Sequence, residues 1–183
     1  GQQELIRGLQ IAAAGGHNFL AVGAPGGGKT MAIQKFPAIN PVLTVEEAQS
    51  VTRIWSLAGL IKPSQPLIRI PPFRIPHQTA SIEGICGGGP NCRPGEISLA
   101  HNGVLFLDEL PEFNRATLEI LRQPMESGKI MISRARRNAT YPARFQLIAA
   151  MNPCPCGHLG NAALSCSKAP RCAEAYQNKI SGP

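Results

Sequence analysis

The sequence predicts an α/β fold, a three-layer sandwich in which a parallel central sheet lies between flanking helices. Two observations predict it. Three short apolar runs, 19–22, 104–107 and 145–151, are too apolar for surface strands and are separated by stretches of helical character, the pattern of buried parallel strands joined by crossovers. The first run leads into Gly23-Ala24-Pro25-Gly26-Gly27-Gly28-Lys29-Thr30, a loop of the form G-x-x-x-x-G-K-[ST], and a helix follows it. A chain of 183 residues is long enough for one such domain and short for two.

The elements follow in order. Gln3 to Ala14 reads as a helix, with Leu5, Leu9 and Ala13 along one face, ended by Gly15-Gly16. Phe19 to Val22 is a short buried strand, and a helix follows from about Lys29 to Phe36. Thr44 and Glu47 have capping-box spacing, so a helix is expected from Val45 to about Leu60. Residues 63–76 hold five prolines and break regular structure, and 77–92 is irregular and glycine-rich. Glu96 to Ala100 suggests a short helix, Asn102-Gly103 a turn, and Val104 to Leu107 a second buried strand. Asn114 can cap a helix carrying Leu118, Leu121 and Met125. From Lys129 to Arg144 the pattern is two short strands with a basic tip, and Phe145 to Met151 is the third buried strand. The last thirty residues mix cysteines, small residues and a helical stretch around Tyr176.

Composition bounds the function. Apolar residues make up 43% of the chain, which fits a globular protein and argues against disorder. No apolar run approaches the ~20 residues needed to cross a bilayer, and no leader with a cleavage site is present, so the expected location is the cytosol and no membrane partner is expected. The chain starts inside an apparent helix and stops at Ile180-Ser181-Gly182-Pro183, as an excised piece would. The net charge of +7 makes polyanionic partners reasonable. Five Lys or Arg and no acid lie between Lys129 and Arg144. Six cysteines in a cytosolic chain are expected to be reduced thiols or metal ligands.

The loop at 23–30 has the residues that phosphate binding needs. Its glycines let backbone N–H groups turn inward without a Cβ in the way, and the next helix points its positive end at the same anion. Lys29 reaches the β- and γ-phosphates of ATP, and the Thr30 hydroxyl ligates magnesium. Val104 to Leu107 ends in Asp108-Glu109, which carries Asp108 to the magnesium beside Thr30 and Glu109 to the attacking water as general base. The strand at 145–151 ends in Asn152, an amide able to hold that water or the γ-phosphate, a sensor role.

Several stretches resemble the magnesium-chelatase-like AAA+ family, in its ComM-type competence-protein branch. They are Gly15 to Asn18, Arg74 to Ser81, Arg93 to Gly103, Ala149 to Gly157 and Lys179 to Pro183. The resemblance covers nearly the whole chain. It implies a homo-hexameric ring ATPase with a helix-2 insert, here roughly 66–95, and a hairpin before the sensor strand, here Lys129 to Arg144. It also implies that 1–183 is the ATPase core alone, with the amino-terminal domain, the arginine finger, the second sensor and the carboxyl-terminal lid elsewhere. The branch implies DNA as partner, in recombination of incoming strands. A chelatase motor driving magnesium into a porphyrin, or a regulatory nucleotide switch, are the rival readings.

Cys154, Cys156, Cys166 and Cys172 follow the sensor strand, and four thiolates can complete a tetrahedral zinc site. Their spacing, C-x-C, nine residues, C, five residues, C, is not that of a standard finger. His158 is a substitute ligand in this reading, and a set of reduced, partly buried thiols is the alternative. Cys86 and Cys92 are expected to be free thiols, and His77 and His101 to make structural hydrogen bonds. Arg134, Arg136 and Arg137 crowd the hairpin tip, which is either an inert solvated loop or a contact for DNA phosphates in the pore of a ring.

Overall fold

A computed structural model describes residues 2–61, 64, 67–134, 137–157, 159, 166 and 171–180. The chain runs through helix α1 (Gln3–Gly15), strand β1 (Phe19–Val22), helix α2 (Lys29–Gln34), a 3-10 turn (Phe36–Ile39) and helix α3 (Val45–Leu57). There follow β2 (Phe73–Arg74), α4 (Ile82–Cys86), β3 (Gly87–Gly88), β4 (Arg93–Pro94) and α5 (Glu96–Leu99). Next come β5 (Val104–Leu107), a second 3-10 turn (Leu110–Glu112), α6 (Arg115–Ser127), β6 (Lys129–Arg134), β7 (Arg137–Pro142), β8 (Gln146–Met151) and α7 (Arg171–Gln177).

The expected sandwich is what forms. The main sheet has the order β1-β8-β5-β2, and every pair in it is parallel. Alternation along the inner strands assigns side chains to two cores. Leu105, Leu107, Ala149 and Met151 pack with Ile85, Ile97, Leu121 and Tyr176 on one face. Val104, Phe106, Ile148 and Ala150 pack with Leu9, Ala12, Ile33 and Phe36 on the other. All four residues of β5 are buried, because both of its faces and both of its edges are covered.

Local chemistry explains the helix ends. Gly16 adopts φ 63, and its N–H returns to the Ala12 carbonyl to close α1. Thr44 and Glu47 form the full capping box of α3. The Asn114 side chain accepts from Ala116 N at 2.8 Å.

Three expectations fail on physical grounds. β1 is not buried throughout: Leu20 is 47% and Val22 54% exposed, because β1 is an edge strand among the described residues. The proline-rich segment is not wholly irregular, since Phe73 and Arg74 pair with Val104 and Leu105. Prolines are tolerated there because β2 is an edge strand. The glycine-rich segment hides α4, capped by Ser81 Oγ accepting from Gly84 N at 3.1 Å. The helix capped by Asn114 carries Leu118, Leu121 and Met125 as expected, with Leu121 buried and Met125 exposed. Within the expected insert, roughly 66–95, lie β2, α4 and the two-stranded β3–β4 hairpin.

The ring of His101 is buried and its Nδ1 accepts from the Arg144 N–H at 3.1 Å. Burial first, and the Arg144 charge second, push its pKa down to about 4. The unfolded chain takes up a proton below about 6.5, whereas the folded chain does so only near 4. Stability is therefore full above pH 6.5 and falls as the pH drops toward 4. The expected loss between pH 7 and pH 5 is about 2 kcal/mol. Urea unfolding at the two pH values checks it, and His101→Asn, which keeps an acceptor but not the titration, should flatten the difference.

Candidate functional site

Parallel strands deliver their carboxyl ends to one edge of a sheet, which is where open α/β folds bind ligands. Gly23 after β1, Asp108 after β5 and Asn152 after β8 therefore meet. The loop from Gly23 to Thr30 turns through Gly26 at φ 72 and Gly28 at φ 74, where a side chain would cost roughly 1–2 kcal/mol each. The Lys29 ammonium donates to the carbonyls of Gly23 at 2.7 Å and Ala24 at 2.8 Å, and to Asn152 Oδ1 at 3.3 Å. Burial lowers its pKa from the ordinary value, and the Asp108 carboxylate opposes that shift.

Thr30 Oγ1 donates to Asp108 Oδ2 at 2.9 Å, and Asp108 Oδ1 accepts from Glu109 N at 3.0 Å. Glu109 is exposed and sits at φ 53, a left-handed conformation uncommon outside glycine and a recurring form of strain at functional sites. Lys29, Thr30, Asp108, Glu109 and Asn152 line one cavity of about 400 Å³ together with Pro25, Gly26, Gly27 and Gly28. Gly23 and Ala24 lie beside it and act through their carbonyls. Met31 and Met151 also line the cavity. Neither was picked out from sequence, since an apolar side chain at a cavity wall belongs to no motif.

The four cysteines after β8 come together. The Sγ atoms of Cys154, Cys156, Cys166 and Cys172 all lie within 4.8 Å of one another, and those of Cys154 and Cys156 are 3.2 Å apart. His158 lies outside the described residues. Cys86 and Cys92 are free thiols; burial pushes Cys86 up to about 11, and Cys92 donates to the Arg137 carbonyl at 3.6 Å. His77 Nδ1 pairs with Thr79 Oγ1 at 2.7 Å.

The β6–β7 hairpin closes on the Arg134–Arg137 pair of its register. Arg136 and the Arg134 side chain lie outside the described residues. Arg137 is exposed, and its Nη1 donates to Asn91 Oδ1 at 3.5 Å. Tyr141 Oη donates to the Cys92 carbonyl at 2.8 Å, so the two hairpins stand side by side.

The fold and this loop define the class: a P-loop fold of the AAA+ type. A family model described as magnesium chelatase, subunit ChlI, matches residues 1–183. YifB of Escherichia coli (strain K12) is 52% identical over 100% of this chain and 36% of that protein. Competence protein ComM of Haemophilus influenzae (strain ATCC 51907 / DSM 11121 / KW20 / Rd) is 49% identical over 100% of this chain and 35% of that protein. A model of the complex between subunits BchI and BchD of magnesium chelatase, based on a single-particle cryo-EM reconstruction, is similar at TM-score 0.63 and 24% identity, over 84% of this chain and 53% of that one. The chain belongs to the magnesium chelatase ChlI family, among relatives of the ComM and YifB kind, and spans about a third of their length. No helix among the described residues is long and apolar enough to cross a membrane.

Proposed function

We propose that this chain is the ATP-binding and ATP-hydrolysing core of a cytosolic, hexameric ring protein that remodels DNA. The observation that carries the reading is the convergence of Lys29, Thr30, Asp108, Glu109 and Asn152 on one cavity beside a glycine-rich loop. The loop's N–H groups and Lys29 bind the triphosphate. Thr30 and Asp108, hard oxygen donors in contact at 2.9 Å, suit magnesium, which is commonly held by one carboxylate, a hydroxyl and substrate phosphates. When bound, magnesium neutralises charge on the phosphate oxygens. Glu109 takes the proton of the attacking water as its oxygen bonds to the γ-phosphorus, and the bridging oxygen leaves with ADP. Asn152, already in contact with Lys29, orients that water or the γ-phosphate. In this reading the four-cysteine cluster holds zinc.

DNA is favoured as partner by the 49% identity to a competence protein and by the basic hairpin tip. The rival partner, the second subunit of a chelatase, draws on a weaker likeness, 28% identity to the magnesium-chelatase 38 kDa subunit of Acidiphilium rubrum over 84% of this chain and 51% of that protein. The test is the ATPase rate of the full-length protein with and without DNA. Stimulation is expected. Replacing Arg134, Arg136 and Arg137 with Ala should leave ATP binding intact, remove most of the stimulation and flatten the salt dependence of DNA binding, since each lost phosphate contact reduces the log–log slope by about 0.9. Unchanged DNA affinity and stimulation in the triple variant would favour the chelatase motor instead.

A further inference from the structure

The thiol cluster lies against the phosphate loop. Asn152, which touches Lys29, is two residues before Cys154. Gly157 N donates to the Cys154 carbonyl at 3.0 Å, closing a turn that spans the first two thiols. Gly157 has φ +76, and a Cβ built on it would lie 2.4 Å from Pro25 Cδ, so the turn's backbone sits directly on the loop. At the far side of the cluster Cys172 belongs to α7. That helix is anchored by Tyr176, buried in the core, and two residues past its end the Lys179 Nζ is 3.7 Å from a Glu112 carboxylate in the turn after Glu109. The cluster thus joins the segment carrying Asn152 to the segment beside Glu109. Its dimensions suit one ion: tetrahedral zinc with Zn–S of about 2.3 Å sets sulfurs about 3.8 Å apart, close to the separations here, none above 4.8 Å.

Resting on the nucleotide-site reading above, we infer that zinc held by Cys154, Cys156, Cys166 and Cys172 braces the phosphate loop through the Gly157–Pro25 contact, so that zinc and nucleotide strengthen each other's binding. Metal binding displaces the thiol protons to solvent and fixes three separate segments as one unit. A nucleotide then meets a loop already held in place. Coupling of this kind is reciprocal: the factor by which zinc tightens nucleotide is the factor by which nucleotide tightens zinc.

The experiment uses full-length protein purified without chelator. Elemental analysis should find close to one zinc per chain, and cobalt(II) in its place should give the absorption of a tetrahedral thiolate site. Stripping zinc from folded protein with a chelator should weaken MgADP binding at least about fivefold, reloading should restore it, and saturating MgADP should raise zinc affinity by the same factor. Cys166→Ser should lower zinc affinity. Gly157→Ala should keep the zinc and still weaken MgADP, which separates the brace from the metal site itself. A zinc-free protein whose four thiols react freely with a thiol reagent overturns the site. Zinc present but indifferent to MgADP, in both directions, overturns the brace. Protein that holds zinc and binds no MgADP at all would instead mark failure of the nucleotide-site reading.

Discussion

Glu109→Gln in the full-length protein is expected to bind MgATP within about twofold of the parent and to hydrolyse it ~10²–10⁴-fold more slowly, the usual contribution of a positioned general base. The amide fills the same volume and cannot take the water's proton. Little else should change, because Glu109 is exposed at the mouth of the cavity and the hydrogen bond that shapes its turn comes from its backbone N–H to Asp108. Lys29→Ala is the contrast. It removes the only cation that lines the cavity among the described residues and strips Asn152 Oδ1 of that partner. Binding itself should then fall, with hydrolysis lost as a consequence. Fluorescent-nucleotide titration and phosphate release measure the two steps separately. Hydrolysis by Glu109→Gln at the parental rate would show that another group is the base.

How much of this could be read in the chain depends on how local the cause is. The phosphate loop, Asp108, Glu109 and Asn152 were readable because each follows a short apolar strand, and parallel strands send their ends to one edge. The capping box of α3 and the glycine end of α1 are contained within a few residues and were equally plain. The failures are non-local. Nothing in Pro71-Pro72-Phe73-Arg74 announces a strand, because β2 exists only through its pairing with β5. Leu20 and Val22 read as buried from their chemistry, and only their place at an edge exposes them. The neighbourhood of Asn91, Cys92, Arg137 and Tyr141 likewise arises from two hairpins meeting across more than forty residues. For the cysteines, four thiols after the sensor strand suggested a metal despite a spacing unlike a standard finger, whereas the contact of Gly157 with Pro25 has no sequence signature.

The isolated 183-residue piece is expected to hydrolyse ATP ~10³-fold or more slowly than the intact protein, the effect of a missing arginine finger. The γ-phosphoryl group spreads negative charge over three oxygens as it transfers, and among the described residues Lys29 is the cavity's sole cation. Arg144 cannot be the second. It stands before the first residue of β8 while Asn152 follows the last, and six strand residues span about 20 Å. Its backbone binds His101, and it lines a different cavity with Asn102 and Gln146. Arg115 and Arg122 on α6 pair with Glu119. Among the described residues no second cation lines this cavity, and resemblance to the family implies a finger from the remainder of a neighbouring subunit. Phosphate-release assays on the piece and the intact protein at equal site concentration measure the gap. Intact Glu109→Gln protein, which would keep the implied finger and turns over only slowly, should raise hydrolysis by the piece when the two are mixed and co-assemble. Equal rates for piece and intact protein would mean that the cavity is complete within these 183 residues, and that a cation already in the chain reaches the phosphate.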